Sequence, residues 1–326
     1  MKHLRTARVH GTSRTRAVIG VLAASALAMG AAACSNADPT QDPASGTQSA
    51  EGEGAAQPDD GGAVVIGSQA YYSNEIIAEL FAQVLEHEGV TVQREYQIGQ
   101  REVYMPELES GTIDIMPEYT GNLLQYYDAS ATSGSPEEIA DQLNEALPEA
   151  LTALPFAQAS DQDSFVVTRE FAQDNGLTSV SDLAKVAGSV KIAANSEFEA
   201  RPYGPQGLKD TYGVDVELVP VEDSGGPLTV KALLDGTVQV ADIYSADPAI
   251  SANHLVTLSD PESLVLPQNV VPIVSQRVDE GARAAIRTVT DALGTEELIE
   301  LNARSVDEQA SSADIASAWL TQKGLI

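Results

Sequence analysis

Asp114-Ile115-Met116-Pro117-Glu118-Tyr119-Thr120-Gly121-Asn122 is the stretch on which the reading of this chain turns. An apolar run ends at Pro117, and a Tyr-Thr-Gly turn opens into the helix-like Asn122-Leu123-Leu124-Gln125-Tyr126-Tyr127. A strand that stops and hands an aromatic and a hydroxyl to a turn is a common way to line a ligand crevice in an α/β sheet. Tyr119 is therefore expected to form one wall of a ligand cage.

Working outward, Ala63-Val64-Val65-Ile66-Gly67 has the pattern of a short buried strand. Ile76, Ile77, Leu80, Phe81, Val84 and Leu85 then recur at helical spacing, and Gly89 ends the run. Thr91 to Gln97 alternates as a strand, Arg101 to Glu109 is helix-like but interrupted by Pro106, and Thr112 to Met116 is the next strand. A helix is expected over Pro136 to Leu151. Ser164 to Thr168 is a strand that carries the chain into a second lobe. There strands at 190–194, 214–219 and 238–243 alternate with helices near 207–212 and 228–234. Val270 to Val274 is the return strand, and the C-terminus is helical over 280–293, 296–304 and 315–320. This βαβα alternation predicts an α/β protein of two lobes, each a mainly parallel sheet flanked by helices, with a hinge between. The expected organisation is lobe 1 over 63–164 and 270–326, and lobe 2 over 165–269.

The 326 residues begin with a segment of another kind. Lys2, Arg5, Arg8, Arg14 and Arg16 form a basic region, and Ala17 to Ala33 is an apolar run of small residues leading to Cys34. Residues 1–33 read as a secretory signal. A cysteine directly after Ala31-Ala32-Ala33 resembles the lipobox of bacterial lipoproteins, which implies lipidation of Cys34. Cleavage at an Ala-x-Ala site, giving a secreted protein, is the open alternative. The following residues, 34–62, are rich in Gly, Ala, Pro, Ser and acidic side chains, and read as a disordered tether. The 28 residues after Cys34 would reach roughly 30 Å as a flexible coil.

Past the leader, 13 basic residues stand against 48 acidic ones, a net charge of about −35. That excess disfavours nucleic acid and anionic lipid as partners. Cys34 is the only cysteine, which removes disulfides and thiolate metal sites. His87 and His254 are the only histidines past the leader and are far apart in sequence. There is no Gly-x-Ser-x-Gly elbow, His-Glu-x-x-His pair or phosphate-binding loop. No enzyme, cofactor or metal is expected.

What stands out instead is a set of aromatics at strand ends: Tyr71, Tyr72, Tyr119, Phe165, Tyr203 and Tyr244. With Ile66-Gly67-Ser68, Gly111 to Gly121, Glu197-Phe198 followed by Arg201, and Asp242-Ile243-Tyr244-Ser245-Ala246-Asp247, the chain from about Val64 onward resembles the extracytoplasmic substrate-binding proteins of glycine betaine/carnitine/choline ABC transporters. The resemblance implies a type II periplasmic-binding-protein-like fold that closes over a quaternary-ammonium osmoprotectant and delivers it to the transmembrane permease. It implies a cage of tyrosines around the ammonium, falling on Tyr119 and Tyr244, with Phe165 on the crossing strand and Asp163 two residues before it. An arginine for a ligand carboxylate falls on Arg201. The last cage tyrosine of the family falls on Gln268, and Tyr203, Tyr71 or Tyr72 are candidates to replace it, with Thr120 beside Tyr119. Ring faces suit such a ligand because a quaternary ammonium has no N–H to donate. Gln268 leaves open a less cationic ligand, and a sensor lipoprotein without a transport role is the other alternative. The mature protein is expected as a monomer, anchored by lipid to the outer face of the cell membrane.

Overall fold

The computed structural model describes residues 62–326. The signal segment, Cys34 and the tether as far as residue 61 lie outside the described residues. In chain order the elements are β1 (Val64–Gly67), α1 (Tyr72–His87), β2 (Val92–Glu95), α2 (Arg101–Glu109), β3 (Ile115–Tyr119), α3 (Thr120–Tyr127), α4 (Pro136–Ala146) and β4 (Leu151–Ala153). Then come β5 (Phe165–Val167), α5 (Arg169–Asn175), β6 (Val190–Ala194), α6 (Pro205–Tyr212), β7 (Val216–Pro220), α7 (Pro227–Leu234), β8 (Val240–Asp242), α8 (Ala249–Ala252) and β9 (Val256–Thr257). The chain ends with β10 (Val270–Ser275), α9 (Glu280–Ala292), α10 (Thr295–Asp307) and α11 (Ser312–Lys323).

Two five-stranded sheets result, ordered β2-β1-β3-β10-β4 and β7-β6-β8-β5-β9. In each, four strands run in one direction and one internal strand is antiparallel to both its neighbours: β10 in the first sheet and β5 in the second. Those two are the strands by which the chain enters a sheet from the other one. The segments leading into them run side by side, with Asp161 N donating to the Gln268 carbonyl and Val270 N to the Ala159 carbonyl.

Helical periodicity in α1 locates the core of the first sheet. Ile76, Ile77, Leu80, Phe81, Val84 and Leu85 are each at most 2% exposed, and α1 packs against α9, α10 and α11. Each such side chain contributes about 1.5–3 kcal/mol through burial. His87 closes α1 at an exposed position, and Gly89 takes the left-handed φ of +84° that terminates it.

Three differences from the sequence expectations are informative. The strand expected over 112–116 lies instead at Ile115–Tyr119 and runs straight through Pro117. Pro117 faces Pro272 across the antiparallel β3–β10 pair. Thr120 N bonds the Asn269 carbonyl and Ser275 N the Asp114 carbonyl, so hydrogen-bonded pairs fall at the even-numbered residues of this strand and 117–272 is a non-hydrogen-bonded pair that needs no N–H between these strands. The helix expected over 136–151 stops at Ala146, because Pro148 forces Leu147 out of the helical region, to ψ 142°. Residues Leu151–Ala153 then form the edge strand β4. Pro106 does not shorten α2, which keeps all nine residues from Arg101 to Glu109.

Candidate functional site

One cleft gathers side chains from the C-terminal ends of β1, β3, β6, β7 and β8 and from the crossing segment before β5. It holds about 540 Å³ of space between atoms, its mouth included. Parallel strands place crevices at these ends because the chain must turn there before its helix.

Tyr71 is the residue before α1, and Tyr119 ends β3. Tyr244 follows β8, and its ring meets that of Tyr71 edge-on at 5.2 Å. Tyr203, 3% exposed, packs edge-on against Phe198 at 5.9 Å. All four tyrosines and Phe198 line the cleft, together with Arg201 and Asp163. Burial raises the phenol pKa of each of the four, so all stay neutral in ordinary buffers.

Four other anticipated residues stand elsewhere. Phe165 sits behind Phe198, ring centroids 6.5 Å apart, in the core of the second sheet. Tyr72 is not among the cleft's lining residues, and its Oη donates to Asp247 at 2.8 Å. Thr120 is wholly buried and donates to the Pro267 carbonyl at 2.9 Å. Gln268, 0% exposed, is turned onto Asn122: it accepts from Asn122 N at 3.0 Å and donates to Asn122 Oδ1 at 2.8 Å. Asn122 in turn donates to Asp163 at 2.8 Å and lines the cleft. Gly121 makes that contact possible, since a Cβ there would lie 2.6 Å from Leu266 Cβ and 2.7 Å from the Pro267 carbonyl. The glycine of the Tyr-Thr-Gly turn is thus required by close approach of the return segment.

The cleft also contains residues that periodicity and motif reading did not single out: Gln69, Gln100, Arg101, Asp161, Asn195, Ser224 and Gly225, while Asn122 had entered only as the end of the opening stretch. Glu197, Phe198 and Asp242 had entered only as parts of motifs. Most lie within a few residues of a strand's C-terminal end, and that position alone was a usable signal. Gly225, at φ +76°, passes 3.0 Å from the Asp242 carbonyl where a Cβ would stand.

Charge in the cleft is unevenly matched. Arg101 is 4% exposed and forms a two-pronged ion pair with Glu118 at 2.8 and 2.7 Å, which Tyr104 Oη and Tyr119 N complete at 2.5 and 3.0 Å. Arg201 reaches from the second sheet's side to Glu102 on α2 at 2.8 Å. Asp161, Asp163 and Asp242 are 5, 8 and 7% exposed, and none has a basic partner among the described residues. Burial lifts the Asp161 carboxyl to about 7, even though Ala246 N and Ser73 Oγ donate to it at 3.0 Å each. Burial and the adjacent Asp163 carboxyl raise Asp242 well above the usual carboxylate range. Among the described residues, Gln69 Nε2 in the cleft has no partner, and Tyr119 Oη, although Tyr71 and Asn74 lie close to it, meets neither in full hydrogen-bond geometry. Among the described residues no cluster of His, Cys, Asp and Glu is arranged to hold a metal ion.

Residues 62–322 match the family described as the substrate-binding domain of the ABC-type glycine betaine transport system. The chain belongs to this family. It is a substrate-binding protein of an ABC transporter rather than an enzyme. It is 28% identical over 276 residues to the glycine betaine-binding protein YehZ of Escherichia coli, covering 80% of this chain and 90% of that protein. It is 26% identical to a glycine-betaine-binding protein of Pseudomonas aeruginosa, covering 80% and 88%. The crystal structure of a glycine betaine/carnitine/choline ABC transporter protein superposes with a TM-score of 0.66 at 23% identity, covering 80% of this chain and 99% of the other. Apo YehZ superposes with a TM-score of 0.59 at 27% identity, covering 81% and 100%. The fold is accordingly that of a type II periplasmic binding protein. Members of such importers work outside the cytoplasm. Among the described residues no helix is long and apolar enough to cross a membrane.

Proposed function

We propose that this protein captures a quaternary-ammonium osmoprotectant of the glycine betaine, carnitine or choline type between two lobes and delivers it to its permease. The observation that carries this reading is the convergence of Tyr71, Tyr119, Tyr203 and Tyr244 on one cleft that also holds unpaired carboxylates. Ring faces attract a cation through their quadrupole, each contributing about 0.5–2 kcal/mol when desolvated. Tyr71 and Tyr119 belong to lobe 1 (63–164 and 270–326), and Tyr203, Tyr244 and Arg201 to lobe 2 (165–269). A ligand touching both lobes stabilises the closed state by its differential contacts. Polar contacts of Gln100 with Ser224 at 3.3 Å and Arg201 with Glu102 already bridge the cleft. The mature chain works as a monomer held at the membrane through lipid on Cys34.

Calorimetry with glycine betaine, carnitine and choline tests this. At least one should bind with a dissociation constant below the millimolar range, and Tyr119→Ala and Tyr244→Ala should each weaken it at least about tenfold. Absence of binding by all three would sink the proposal.

A further inference from the structure

Resting on that quaternary-ammonium reading, we infer that Asp163 and Asp242 are specificity-determining residues that make the cleft select a ligand of net positive charge bearing a neutral oxygen over a zwitterion. The arginines lining the cleft both have a glutamate already: Glu118 for Arg101 and Glu102 for Arg201. A ligand carboxylate would therefore have to displace an intramolecular ion pair to gain a guanidinium. The carboxylates are in the opposite condition. Asp163 and Asp242 lie side by side at the end of β8 and the start of β5, each more than nine-tenths buried. Apart from each other, their partners among the described residues are neutral donors, Asn122 Nδ2 for Asp163 and Ser164 N for Asp242. With no counter-ion, burial and the neighbouring Asp163 favour a proton on Asp242, and the pair's remaining negative charge is costly; a bound cation lowers that cost while an added carboxylate increases it.

The unpartnered atoms fit the same ligand. Tyr119 Oη and Gln69 Nε2 are both donors, in residues 3% and 6% exposed, and both residues line the cleft. A hydroxyl or other neutral oxygen on the ligand can accept from them without bringing in a second negative charge. An amino-alcohol-type quaternary ammonium has this composition, whereas a betaine carries a full carboxylate.

Other groups facing the pair are Asp161, Glu197, Arg101, Arg201 and the four tyrosines. The tyrosines and arginines do not titrate between pH 5 and 8. Asp161, whose carboxyl burial lifts to about 7, loses its proton within that range. The cleft therefore becomes more negative as pH rises, and preference for the cation should grow.

The experiment is calorimetric titration of the wild-type protein, Asp163→Asn and Asp242→Asn with choline and with glycine betaine at pH 8, and of wild type again at pH 5. Both asparagines keep an oxygen to accept from Asn122 or Ser164, and thermal melts verify folding. Wild type should bind choline at least about tenfold more tightly than glycine betaine, and each variant should bring the ratio to within about threefold of one. Between pH 5 and 8 the wild-type ratio should rise by about threefold or more, a readout independent of either variant's folding. Equal or tighter binding of glycine betaine by wild type overturns the inference while leaving the proposed function standing. A choline preference unchanged in both variants also overturns it. Binding of neither ligand removes the proposed function, and the inference with it.

Discussion

Two arginine–glutamate pairs stand at this cleft, and they differ in almost everything except chemistry. Arg101–Glu118 joins α2 to β3, its side chains 5% and 0% exposed, with Tyr104 and the Tyr119 amide completing the carboxylate's shell. Arg201–Glu102 spans the two sides of the cleft, its side chains 16% and 51% exposed, with one bond of 2.8 Å and one of 3.4 Å. The first pair belongs to the structure of one sheet and sets the backbone of a cleft tyrosine. The second is partly exposed and can exchange its partner for water. Burial decides which of these roles an ion pair takes, since a buried pair cannot exchange its partner for water.

Breaking the first pair should have the largest effect. Glu118→Ala leaves a buried guanidinium without its counter-charge and should cost about 3–5 kcal/mol in urea unfolding. A loss below 1 kcal/mol, within the range of exposed pairs, would show that the two pairs are not different in kind.

Asp161 sharpens the comparison, because it is a buried acid with no arginine at all. Its carboxyl is raised from 3.8 to about 7, so the folded state binds a proton more tightly than the unfolded chain. Its stabilising contribution is therefore complete below about pH 4 and is lost as pH rises to about 7, on the order of 2–4 kcal/mol. Melting curves of wild type and Asp161→Asn across pH 4–8 check this. The variant's Tm should fall less with rising pH, and parallel curves would refute the assignment.

The smallest effect is expected at the exposed pair. Glu102→Gln should change stability by less than about 1 kcal/mol, and less still at high salt. It also frees Arg201 to meet a ligand carboxylate, so the affinity for glycine betaine should rise relative to choline. Titration of this variant with both ligands gives the answer, and an unchanged ratio would mean that Glu102 does not restrain Arg201.

Much of the fold was legible because its signals are local. The spacing of Ile76 to Leu85 marked α1, and the alternation of short apolar strands with helices marked two α/β sheets. Tyr119 and Tyr244 were found from turn residues after strands, and both line the cleft. The signal was weaker where a side chain has two neighbours to choose from. Phe165 at a strand start and Gln268 before β10 read as cleft residues, yet one packs behind Phe198 and the other bonds Asn122. Arg101, expected only as the start of a helix, proved to be a lining residue held by Glu118.

By itself, then, the sequence determined the alternation of elements, the acidic surface, and the class of residue at strand ends, because these follow from spacing and composition along the chain. Only the tertiary structure decided which carboxylates meet an arginine and which do not. That depends on residues brought together across long stretches of chain, such as Glu102 and Arg201, 99 positions apart, or on burial, which no local pattern records. Asp163 and Asp242 look like any other pair among 48 acidic residues until folding buries them in one cleft.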